Sequence, residues 1–142
     1  MIFTFETHAM LPTLNDLLGQ HPMQIHKLRN QWAIGRRNGG AVIEINAWWQ
    51  RAGKPVFSRP CHLEVVHCFK NRAGRDSDNP MLKWLIDILR FPHSPSEILS
   101  NFPHLGIIAT DKNNFLTHQQ HIIEGADDTV IRGTITEQEA AK

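Results

Sequence analysis

Cys61-His62-Leu63-Glu64-Val65-Val66-His67-Cys68-Phe69 is the stretch on which the fold class of this chain turns. It is rich in β-forming residues and predicts a strand from about His62 to Phe69. The cysteines and histidines at its ends suggest zinc at first sight. On a strand, however, Cys61 and Cys68 face opposite sides and lie ~23 Å apart at the usual rise, too far for a shared metal or a disulfide. They read as packed thiols in a reducing compartment. His62, His67, His118 and His121 read as packed or surface histidines.

Outward from this strand the pattern alternates between helix and sheet. Upstream, Ile2 to Glu6 alternates as a strand does, and Leu11-Pro12-Thr13-Leu14-Asn15 reads as a turn or extended entry. From about Pro22 to Arg51, Ile25, Leu28, Trp32, Val42, Ile45, Trp48 and Trp49 recur at helical spacing, which predicts one long helix or two short ones broken at Gly39-Gly40. Downstream, a basic turn at residues 70–75 leads to a helix from Pro80 to about Phe91, stopped by Pro92. A short helix from Ser94 to Phe102 follows, with Ser94 as N-cap and Glu97 completing a capping box. Two β segments, near Thr117–Glu124 and Thr129–Thr136, are joined through Gly125-Ala126-Asp127-Asp128. The expectation is one α+β domain over residues 1–142, a small mixed or antiparallel sheet packed against two main helical segments, with a loose tail in the last few residues.

Composition agrees with an ordinary soluble domain. The chain has 142 residues, 41% of them apolar, enough to bury a core without staples. No apolar run approaches the ~20 residues of a membrane span. The N-terminus, with Glu6 and no basic cluster, does not read as a signal peptide, so a cytoplasmic protein is expected. The net charge is only +1, but residues 1–75 carry +6 and residues 76–142 carry −5. That division suits a phosphate-gripping surface beside carboxylates, and equally suits ordinary charge scatter.

The chemistry is concentrated in Gly74-Arg75-Asp76-Ser77-Asp78-Asn79-Pro80. In extended backbone Asp76 and Asp78 point the same way, so both carboxylates can address one hard cation. Asn79 suits an N-cap and Pro80 the first helical position, which also makes a capped turn a sufficient explanation of the motif. In the following helix Lys83, Asp87 and Arg90 form a single polar stripe on an otherwise apolar surface, predicting a helix buried on most sides with one charged edge. Lys83 and Asp87 are either a solvated pair of little energetic weight or, with Lys83 reaching back toward Asp76 and Asp78, a means to steady a scissile phosphate.

Taken in order, Arg75-Asp76-Ser77-Asp78-Asn79, then Lys83-Trp84-Leu85-Ile86-Asp87, then Gly106-Ile107-Ile108-Ala109-Thr110-Asp111 resembles the RusA family of Holliday junction resolvases. Leu11-Pro12-Thr13-Leu14-Asn15 is similar to the entry segment of that family's phage branch, so the resemblance spans about residues 10 to 136. It implies a homodimeric endonuclease that cuts branched DNA in phage or prophage recombination, working in the host cytoplasm if phage-encoded. It further implies Mg²⁺, with Mn²⁺ as a substitute, on Asp76, Asp78 and Asp111, and Lys83 assisting. Carboxylate-bound Mg²⁺ is suited to this task because phosphodiester hydrolysis needs an activated water and a sink for charge. Lys27, Arg29, Arg36, Arg37, Arg72 and Arg75 are the candidate DNA-binding residues. The chain departs from the family in the spacing of Lys83 from Asp76, in an apparent insertion over about residues 91–105, and in Thr110 and Lys112 on either side of Asp111. A catalytically inactive DNA-binding protein of the same fold, and a small interaction protein whose acids are only turn and cap residues, are the alternatives.

Overall fold

The computed structural model describes residues 1–35, 40–71, 80–99 and 102–138. Its elements are β1 (Ile2–Thr7), α1 (Leu14–Leu17), α2 (Pro22–Ile34), α3 (Ala41–Arg51), β2 (Cys61–Phe69), α4 (Leu82–Leu89), α5 (Pro95–Leu99), β3 (Leu116–Glu124) and β4 (Val130–Glu137). The four strands form one sheet in the order β1-β4-β2-β3. β4 runs antiparallel to β1 and to β2, whereas β2 and β3 are parallel, with Cys61 opposite Leu116 and Phe69 opposite Glu124. The parallel pair is possible because α4 and α5 lie in the connection between the two strands, long enough to carry the chain back. The α+β class and the mixed sheet expected from the sequence are both present.

Alternation sorts β1, β2 and β4 into two faces. Phe3, Phe5, Leu63, Val65, Ile131 and Ile135 point into a core shared with Ile45 of α3 and with Leu85, Ile88 and Leu89 of α4. Gly133 of β4 sits directly beneath the Phe5 ring, where an added Cβ would lie 2.2 Å from Phe5 Cζ. Trp32 of α2 reaches Trp84 of α4 with ring centroids 6.3 Å apart, and its indole N–H donates to the Ala9 carbonyl at 2.7 Å. Cys61 and Cys68 are both free and buried. Burial, then the nearby Glu137 charge, pushes the Cys61 thiol up to about 11. His67 is buried as well, and loss of water lowers its pKa against the opposing hydrogen bond with Gln120.

Several local expectations are corrected. The segment from Pro22 to Arg51 is two helices, one of the two arrangements expected, but α2 already ends at Ile34, followed by Gly35; Gly40 is the N-cap position of α3, and Gly39 lies outside the described residues. Leu14 and Asn15 belong to α1, capped by Thr13 in a reciprocal box with Asp16, rather than to an extended entry. The helix expected from Pro80 to Phe91 is shorter. Pro80 instead bridges Thr13, the Met81 N–H donates to the Pro12 carbonyl at 2.9 Å and the Pro80 carbonyl accepts from Leu82 N–H at 2.7 Å, so Pro80 and Met81 pair outside the helix and α4 starts at Leu82. At the other end Arg90 is already extended and bridges Ile108. In α5, the Glu97 N–H meets the Ser94 hydroxyl at 3.4 Å, but the Glu97 carboxylate takes the N–H of His93 rather than that of Ser94, so the expected capping box is only half formed.

Candidate functional site

The Arg90 end of α4 is covered by a segment that adds itself to the helix end in strand fashion. Leu105 N–H donates to Ile88 O at 2.7 Å, Ile107 N–H to Leu89 O at 2.7 Å, and Phe91 N–H to Ile108 O at 3.1 Å. On the far side of this segment Phe57 donates to Ile107 O at 2.7 Å and accepts from Ala109 N–H at 3.1 Å. Gly106 has φ 75°, and a Cβ there would meet the Phe91 ring at 2.8 Å, so the glycine of the Gly-x-x-x-x-Asp element is required by the close approach of these two turns. Asp111 is thereby carried to the Arg90 end of α4.

Arg90 organises what gathers there. Its side chain is 6% exposed, and its Nε lies 3.1 Å from Asp87 Oδ1 and 3.7 Å from Asp111 Oδ2. Nη2 donates to Glu97 Oε2 at 2.6 Å, while Nη1 donates to Glu97 Oε1 at 3.3 Å and to the Phe91 carbonyl at 3.0 Å. Burial works against this charge, but hydrogen bonding with Glu97 and the charges of Asp87 and Glu97 outweigh it and raise the guanidinium pKa. The converse appears on Glu97: the Arg90 hydrogen bond, helped by the His93 N–H at 2.7 Å, lowers its carboxyl to about 2. Bidentate pairing of this kind is the geometry that arginine's planar fork favours.

Around this centre, His93 Nε2 lies 3.2 Å from Asp111 Oδ1, and Lys83 Nζ lies 3.7 Å from Asp87 Oδ1. His104 Nδ1 lies 2.6 Å from the Asp87 carbonyl, an acceptor, so that nitrogen carries the proton. Arg29 stacks on Phe102, its Cζ 4.1 Å from the ring centroid, beside a cavity of about 240 Å³ that Asp87, Glu97 and His104 also line. Among the described residues the cluster sets three carboxylates, Asp87, Glu97 and Asp111, against the two fixed cations Lys83 and Arg90.

The residues singled out from sequence thus divide. Asp111 and Lys83 are linked, not by touching, but through Asp87 and Arg90. Lys83 is 71% exposed, while Asp87 and Arg90 are buried, so the expected charged edge of α4 is open to solvent only at Lys83. Lys27 is exposed on α2, and Arg29 is drawn onto Phe102. Asp76, Asp78, Arg36, Arg37, Arg72 and Arg75 lie outside the described residues. His62, His67 and His121 are spent elsewhere, on Thr117, Gln120 and Glu64. Sequence reasoning missed His93 and His104 and gave Glu97 only a capping role, because His93 meets Asp111, Glu97 meets Arg90 and His104 meets the Asp87 carbonyl across Pro92 and the loop before Gly106, with no periodic spacing to announce them.

As a metal site, the described residues are short of donors: no three His, Cys, Asp or Glu side chains among them are placed to share an ion. Asp111, 23% exposed, presents hard carboxylate oxygens, whereas Asp87 is committed to Arg90 and Lys83. Among the described residues no helix is long and apolar enough to cross a membrane. Comparison of the chain with protein-family models, curated proteins and solved structures finds no match.

Proposed function

We propose that this chain is a Mg²⁺-dependent endonuclease of the RusA type, acting as a cytoplasmic homodimer on branched DNA such as Holliday junctions, with Mn²⁺ able to substitute. The observation that supports this reading is convergence. Segments quoted for the resemblance, far apart in sequence, meet around α4: Pro12 and Thr13 pair with Met81 and Pro80 at its start, while Lys83, Asp87, Arg90 and Asp111 form a chain of ion pairs along it. Pro80 directly follows Asp76-Ser77-Asp78-Asn79 in sequence. In this proposal Asp76 and Asp78 complete with Asp111 the donor set that Asp111 alone cannot supply. Bound Mg²⁺ would supply an activated water and charge neutralisation at the phosphate. Lys83, with its ammonium exposed and only its inner side against Asp87, is free to meet a phosphate oxygen. Arg90 and His93 hold the Asp111 carboxylate from two sides.

The pairing of Asp111 with the Arg90 guanidinium and the His93 ring favours one alternative, a DNA-binding protein of this fold without turnover. A synthetic four-way junction incubated with and without Mg²⁺ separates the two. Under the nuclease reading the wild-type chain cuts only with the metal, and both Asp78→Asn and Asp111→Asn abolish cutting while circular dichroism stays unchanged and junction binding persists. Asn caps a helix about as well as Asp, so a mere cap at Asp78 would tolerate the change. Metal-dependent cleavage that survives Asp78→Asn overturns the proposed site; salt-sensitive binding with no cleavage by the wild type selects the non-catalytic reading.

A further inference from the structure

Away from this cluster, His8 at the end of β1 stands between two acids from different elements. Its Nδ1 lies 2.8 Å from Glu44 Oε2, in the first turn of α3, and its Nε2 lies 3.2 Å from Asp128 Oδ2, in the link between β3 and β4. Glu44 Oε1 also accepts from the Thr7 hydroxyl and from the His8 N–H, each at 2.9 Å. Carboxylates at neutral pH only accept, and a neutral imidazole has a single N–H, so one ring nitrogen must then turn a lone pair toward a carboxylate. Only the imidazolium satisfies both partners. We propose that His8, Glu44 and Asp128 form a pH-operated clasp that ties the start of α3 to the β3–β4 link, closed while His8 is protonated and released when it loses its proton.

The clasp has somewhere to transmit its state. Asp128 Oδ1 accepts from Thr129 N–H at 2.9 Å, and the Thr129 hydroxyl accepts from Lys70 N–H at 3.0 Å, just beyond β2. Ala126 N–H donates to the last residue of that strand, Phe69, at 3.0 Å. Release at His8 therefore loosens the cap on the end of β2, at Phe69 and Lys70. This goes beyond the proposed nuclease activity and does not depend on it. The other charged groups near here are Glu6 of β1, paired with Arg132 of β4 at 3.2 Å, Glu137 at the far end of β4, Arg51 at the far end of α3, Glu124 at the end of β3, Asp127 within the link and Lys70 just past β2.

The pH window follows from the two partners. The hydrogen bond to Glu44, opposed by partial burial and aided by Asp128, raises His8 above 6.5. Burial pushes Glu44 up, but its hydrogen bonds from the His8 ring, Thr7 and the His8 N–H together leave it below 4.5. A raised histidine contributes fully below its ordinary value and is lost as pH rises through the raised one; a depressed carboxyl contributes above its ordinary value and is lost as pH falls through the depressed one. The clasp is closed between these limits.

The test is an NMR titration of the full chain with amide hydrogen exchange at Lys70, Ala126 and Thr129. His8 should titrate above its ordinary value and move down toward it in Asp128→Asn, which keeps the side-chain oxygen facing Thr129 but removes the charge. Exchange at the three amides, corrected for intrinsic base catalysis, should rise several-fold as pH passes through the His8 midpoint. His8→Gln, a change at a side chain 60% exposed, should erase that step while the protein remains folded. The proposal is overturned if His8 titrates at its ordinary value and Asp128→Asn leaves it there, or if the exchange step persists in His8→Gln.

Discussion

Replacing Glu97 by glutamine probes the Arg90 cluster with little change of shape. The carboxylate receives both guanidinium nitrogens and the His93 N–H, at 2.6, 3.3 and 2.7 Å. A glutamine has one oxygen to offer these three donors, and its amide N–H₂ must then face another donor. The magnitude follows from linkage: a carboxyl held at about 2 instead of 4.5 corresponds to ~3.4 kcal/mol at full strength. Because the Glu97 side chain is 29% exposed, solvent screening reduces that to about 1–2 kcal/mol. The sign is that of a depressed carboxyl, so the contribution is complete above the ordinary value and fades as pH falls toward the native one. Urea unfolding of wild type and Glu97→Gln across this range should show the variant less stable by about 1–2 kcal/mol at neutral pH, the gap closing as pH falls from about 5 toward about 2. Equal stability at neutral pH, or a gap that does not change with pH, would refute the role assigned to the Glu97–Arg90 pair.

Two further changes test the fold that carries the cluster. In Gly133→Ala the new Cβ runs into the fully buried Phe5 ring, so unfolding should cost about 1–3 kcal/mol less, and Phe5→Leu in the same chain should restore part of the loss; a silent Gly133→Ala would show that the ring does not sit there. Cys61, fully buried and with its thiol held near 11, should resist thiol reagents in the native protein and react at once in denaturant; rapid native labelling of that position would contradict its place in the core.

The sequence by itself determined most of the elements. Alternation in residues 2–6 and the β-forming composition of residues 61–69 marked β1 and β2, and the segments 117–124 and 129–136 read as β3 and β4. The continuous apolar surface of residues 81–89 likewise announced α4 as a buried helix. The failures lie where backbone pairs across long sequence distances. Asn79-Pro80 reads as a helix start, yet Pro80 is claimed by Thr13 and the helix begins two residues later. The stripe Lys83-Asp87-Arg90 reads as a charged edge, because helical spacing tells which residues share a face and is silent about what covers it. Only the tertiary structure lays residues 105–111 against the end of α4, burying Arg90 between Asp87, Glu97 and Asp111. A charge buried away from water must be paired, and its partners come from wherever the fold can deliver them, which no local pattern records.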